Sequence, residues 1–148
     1  MLEIMQKAVE LDAPAARAIA AAMRDLAAVD GNHPQEMAMI EAFEADLPPF
    51  SGTTSLSALA TPEAKETLLK SLVLLALADG QISAPEHRRM EEIAVEVGLG
   101  KDALARATVD VATAMLSQFE GVHLFKDQVY ALGRQLGLDE ETIHRVVG

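Results

Sequence analysis

The chain has 148 residues, half of them hydrophobic, which suits a single domain built around one core and spanning residues 1–148. It contains no cysteine, which excludes disulfides, Cys-ligated zinc and cysteine nucleophiles, and only 3% of it is aromatic. Twelve basic and 23 acidic side chains give a formal charge of −11; such a surface repels phosphate backbones and anionic lipid, so nucleic-acid binding is set aside and cations or basic partners are the expected company.

Ala, Leu, Met, Glu and Arg favour helices, whereas strands favour the aromatic and β-branched residues that are scarce here. An opening helix is expected from Leu2 to Leu11. The start, Met1-Leu2-Glu3-Ile4, lacks the basic stretch before an apolar one that a signal peptide carries. Asp12 reads as the N-cap of a helix running to Val29, with Ile19, Met23 and Leu26 at helical spacing and Asp30-Gly31 as its stop. Pro34 opens the next helix at its first position, where a missing N–H costs nothing. Met39, Ile40, Phe43 and Leu47 form its expected buried stripe, and Pro48-Pro49 ends it.

Residues 48–60 read as the one long loop. Thr61-Pro62-Glu63 is a second cap with Pro in the first turn. The helix behind it carries Leu68, Leu69, Leu72, Val73, Leu74, Leu75 and Leu77, apolar nearly all round, and is expected to be central and buried. Asp79-Gly80 ends it. Its apolar run, Leu72 to Ala78, falls far short of the ~20 residues that span a bilayer. No integral membrane segment is expected, and the chain reads as cytoplasmic.

Ser83-Ala84-Pro85-Glu86 has the spacing of a capping box. Met90, Ile93, Ala94 and Val97 form the stripe that follows, and Gly98 stops it. Further helices are expected from Lys101 to about Phe119, from Leu124 to Leu136, and from Asp139. The fold class is therefore all-α, a single-domain bundle of seven to eight helices. Met23, Met39, Met90 and Met115 lie on apolar stripes and read as core.

Two segments repeat. Ala28-Val29-Asp30-Gly31 is followed by Pro34 and Glu36, then Ile40 and Phe43. Ala78-Asp79-Gly80 is followed by Pro85 and Glu86, then Met90 and Ile93. Each is a helix, an Asp-Gly turn and a capped helix with Glu at its third position. Gly closes a last helical turn well. Asp is less expected there, because a helix C-terminus disfavours a carboxylate. Either each Asp accepts amide hydrogen bonds from its turn, or each pairs with its Glu around a cation. If the two hairpins pack about an approximate two-fold axis, Asp30, Glu36, Asp79 and Glu86 converge. Four carboxylates together resist ionising unless a cation compensates them. Oxygen-only ligands suit calcium or magnesium rather than zinc or copper.

At these residues the sequence resembles the TerB-like family, named for bacterial tellurite-resistance proteins. The likeness rests on the two Asp-Gly turns with their glutamates, on Ile82-Ser83 and on Val97-Gly98-Leu99, and covers roughly residues 15–100. It implies an all-helical accessory protein without catalysis, an acidic cluster that binds metal, and a place in stress-response or membrane-associated complexes. Tellurite itself is an oxyanion, which a surface at −11 does not attract.

Other constellations fall away on chemistry. An EF-hand frame ending at Glu86 puts Leu75 and Leu77 at positions that need oxygen ligands. Glu120/His123 and Glu141/His144 have the spacing of di-iron pairs, but Gly121 interrupts the first and the second sits on a short terminal helix. His33-Pro34-Gln35 lacks the Asp of a J-domain signature, and His33 reads as an N-cap aligned with Ser83. His87 and Glu91 read as a solvated pair. Serine-nucleophile motifs and phosphate-cradling glycine loops are missing. Two readings remain: a TerB-like accessory protein with an acidic divalent-cation site, or a metal-free helical interaction module acting through an apolar groove or dimer face. Protein partners or self-association fit both, with any membrane contact peripheral and made through partners.

Overall fold

Capping side chains and prolines set where the helices begin. In the computed structural model, which describes residues 2–29, 31–52, 54–79 and 82–116 together with Glu140, Glu141 and His144, six α-helices follow one another. They are α1 (Leu2–Glu10), α2 (Ala13–Val29), α3 (Pro34–Ala45), α4 (Pro62–Ala76), α5 (Ala84–Glu96) and α6 (Lys101–Leu116). Asp12 caps α2, its Oδ1 accepting from the Ala15 amide at 2.9 Å. Thr61 caps α4 in the same way, accepting from Ala64 at 3.1 Å.

The fold is all-helical, with no strand among the described residues. Among the described residues there are six α-helices, fewer than the seven or eight expected for the chain. The helix expected over 124–136 lies outside the described residues, and of the one expected from Asp139 only Glu140, Glu141 and His144 are described, in helical conformation. The loop at 48–60 is not featureless. It contains a 3-10 turn, Leu56–Ala58, capped by Ser55, and it buries Leu59.

Helix α4 is the hub. It packs against α1, α2, α3, α5 and α6, and its second half, residues 71–76, is buried on every side. That is why its apolar residues run all round instead of along one stripe. Leu68, Leu69, Leu72, Val73, Leu74 and Leu75 are all buried. The two hydroxyls on this helix, Thr67 and Ser71, are satisfied locally, donating to the carbonyls of Glu63 and Thr67 at 2.9 and 2.8 Å. Helix α2 crosses α4, and its small residues Ala15, Ala16, Ala20 and Ala27 are buried, bulking little between the helices. Around this pair lie α3, α5 and α6, with Ile40, Phe43, Met90, Ile93 and Leu104 closing the core.

Met39 departs from the expected stripe. It is only half-buried, whereas Met23 and Met90 are fully enclosed. No helix among the described residues is long and apolar enough to cross a membrane.

Candidate functional site at the two Asp-Gly turns

The first turn is closed by backbone bonds. Gly31 has φ +86° and Asn32 φ +55°, which is left-handed backbone. Asn32 N–H donates to Ala27 O at 2.9 Å, and Gly31 N–H to Ala28 O at 3.4 Å. These are the paired bonds that use up the last carbonyls of a helix. Asp30 lies outside the described residues. His33 occupies the N-cap position of α3, as expected, but its side chain makes no cap hydrogen bond. Pro34 and Gln35 follow, and Glu36 stands at the third helical position with no solvent exposure.

The second turn is built differently. After α4 the chain tightens into a 3-10 turn, Leu77–Asp79, which ends on the backbone of Asp79; the side chain of Asp79 lies outside the described residues. Here the capping box is complete. Ser83 Oγ accepts from the Glu86 amide at 3.3 Å, and Glu86 Oε1 accepts from the Ser83 amide at 3.0 Å. Glu86 is fully buried like Glu36, and its second oxygen, Oε2, has no hydrogen-bond partner among the described residues.

Two fully buried glutamates at equivalent places are unusual, because an ionised carboxylate loses several kcal/mol of hydration on burial. The helix N-terminus offsets part of that loss, since its free amides carry partial positive charge. For Glu86 the Ser83 amide satisfies one oxygen and leaves the other without a described donor.

Packing draws the two copies toward each other. Helix α2, which leads into the first turn, packs against α5, which carries Glu86. Arg89, three residues beyond Glu86, fixes that contact: its Nη2 and Nε donate to Asp25 Oδ2 at 2.6 and 3.2 Å. Its Nη1 also reaches Glu92 at 3.1 Å. The Asp25 bond, before any other influence, raises the guanidinium pKa above its ordinary value. On the other side the 3-10 turn ending at Asp79 packs against α3, which carries Glu36. Each glutamate-bearing helix therefore touches the segment that leads into the other copy's turn.

Sequence reasoning missed the Asp25–Arg89 link. Its partners are 64 positions apart, and nothing local marks either. The expected His87–Glu91 pair is present at 3.4 Å on the surface, and Glu91 also reaches Lys101 at 3.5 Å. Leu75 and Leu77 are buried in the core, as an apolar and not a calcium-ligating role requires. Glu141 and His144 are both exposed, and the Glu120/His123 pair lies outside the described residues. No group of three or more acidic, histidine or cysteine side chains among the described residues is arranged to hold a metal; Asp30 and the side chain of Asp79 are outside that set.

No curated protein and no solved structure matches the chain. One family model does match, over residues 3–109, and it extends the resemblance past both ends of the 15–100 stretch that carries the motifs. Its description is tellurite resistance protein TerB, and because the match takes in well over half of the sequence, the chain belongs to the TerB family.

Proposed function

We propose that the protein is a non-catalytic accessory protein of the tellurite-resistance type that binds one divalent cation through Asp30, Glu36, Asp79 and Glu86. The observation that carries this reading is the pair of fully buried, repeat-related glutamates, one of which presents an oxygen without a described donor. A hard cation would supply the missing compensation for buried negative charge, and an all-carboxylate donor set favours calcium or magnesium. The ion's role would be structural: it would tie the two turns together and so couple α3 to α5. In the cell we place the protein in the cytoplasm, working with protein partners or with itself. Any approach to a membrane would run through those partners.

The test is a titration of calcium and magnesium followed by thermal melting. Binding to the folded state alone raises the melting temperature with ion concentration, by RT ln(1 + [L]/Kd) in free energy. Glu86→Gln keeps an oxygen to accept from the Ser83 amide but removes the charge, and it should abolish the rise while leaving the helix capped. The quadruple alanine variant of Asp30, Glu36, Asp79 and Glu86 should also fail to respond. A parent melt unchanged by millimolar calcium and magnesium would overturn the reading.

A further inference from the structure

The contact of α5 with α2 carries an ion pair over small side chains. On α2, Ala18 and Ala22 share the helical face of Asp25, and both are buried. Methyl side chains raise only shallow ridges, and apolar burial is non-directional, so this face resists sliding little. Arg89 supplies the direction. Its Nη2 and Nε both donate to Asp25 Oδ2, at 2.6 and 3.2 Å, while its Nη1 donates to Glu92 Oε1 at 3.1 Å. Glu96 Oε1 lies 4.0 Å from that same Nη1. The guanidinium is thus held from both helices, with only 26% of the side chain exposed. By contrast, the Arg24–Glu44 pair stays inside the α2–α3 hairpin, and His87–Glu91 stays inside α5.

This link stands close to both sides of the candidate site. Glu86, whose buried Oε2 has no described donor, precedes Arg89 on α5 by about 4.5 Å of helix rise. Val29, the last residue of α2 before the first turn, follows Asp25 by about 6 Å of rise. Sliding α5 by a single residue would move Glu86 relative to the first turn by about 1.5 Å. A metal–oxygen bond tolerates only about 0.2 Å. Register therefore decides whether a carboxylate on α5 and groups at the end of α2 can reach one ion. We propose that the Asp25–Arg89 link is the positioning device of the cation site, holding Glu86 at ligand distance from the first turn. Neither residue is a ligand. The inference rests on the cation reading given above and adds to it two residues outside the Asp-Gly/Glu repeat.

The two residues carry opposite charges, which separates positioning from simple electrostatics. If only their charges reached the ion, Arg89→Ala would tighten cation binding and Asp25→Ala would weaken it. If the link positions Glu86, both changes weaken it. The test measures the calcium and magnesium dissociation constants of the full chain by calorimetric titration, at a temperature where circular dichroism shows every variant folded. Alanine suits both helical positions. Each single variant should weaken binding at least about fivefold, the lower end of coupling between separated sites. The double variant should match the weaker single within about twofold, because either change already breaks the same link. Asp110→Ala is the control. It removes a carboxylate that pairs with Lys70 at 3.7 Å between α4 and α6, and it should leave affinity within about twofold. Three results would each overturn the proposal: tighter binding in Arg89→Ala, single effects that add in the double variant, or a loss in Asp110→Ala equal to that in Asp25→Ala. A parent that binds neither ion would remove the cation reading and this one with it. A parent that binds, with both single variants keeping its affinity, would overturn the positioning role alone.

Discussion

Glu86 performs two jobs with two oxygens. One accepts from the Ser83 amide and closes the helix start; the other is buried with no described partner. A residue that only capped would gain nothing from full burial, since capping boxes work at exposed helix ends. Ser83 supplies the reciprocal bond, and Ser83→Ala should cost about 1 kcal/mol in chemical denaturation. The amide that Glu86 accepts from is retained in that variant. A loss well under half of this would mean that the Glu86 bond alone sustains the cap. The first copy works without such help, because His33 makes no side-chain cap bond and Pro34 sets the helix start by its fixed φ. Glu36 is nonetheless as deeply buried as Glu86, so its depth is set by packing and not by the cap.

Among the elements, α4 carries the most consequence. The burial of residues 71–76 on all sides means that shortening one side chain there opens a void which neighbours on several helices cannot all close. Leu72→Ala should therefore destabilise the protein by about 2–5 kcal/mol, read as a shift of the denaturation midpoint. A change under about half a kcal/mol would show that the helix is not central. The hairpin of α2 and α3 is pinned at its surface by Arg24, whose Nε donates to Glu44 Oε2 at 2.8 Å. The Arg24 hydrogen bond, ahead of its charge, holds the Glu44 carboxyl below its ordinary value. A lowered folded pKa contributes stability that is present above the ordinary glutamate pKa of about 4.3 and is lost as pH falls through the lower folded value. Both side chains are partly exposed, so solvent screening keeps the contribution between a few tenths and about 1 kcal/mol. The stabilities of the parent and Glu44→Gln should differ by that amount at pH 7 and converge only as the pH falls through the lowered folded value. A gap that persists unchanged into acid would assign the effect to packing.

In the whole molecule, the other helices are arranged around α4. One edge gathers the glutamate-bearing helices, each held against the other repeat's leading segment. Another leaves α1 and α3 apart over Leu74. The all-helical class, the caps at Asp12, Thr61 and Ser83, the buried α4 and the repeated Asp-Gly/Glu signature were legible in the sequence, because each depends on residues within one or two helical turns of each other. So was the family, whose motifs are local in the same sense. The contacts between helices were not legible. Arg89 finds Asp25 across 64 positions, and Met39, set by its spacing on the core stripe, comes to rest at the edge of a groove because α1 does not close over it. Periodicity tells which face of a helix is apolar, but not whether another helix covers that face. The complete burial of Glu36 and Glu86 is a fact of the same kind: spacing put both at the third position of a helix, and only the packing of α2, α3, α4 and α5 took them out of water, since burial is decided by neighbours that lie far away in the chain.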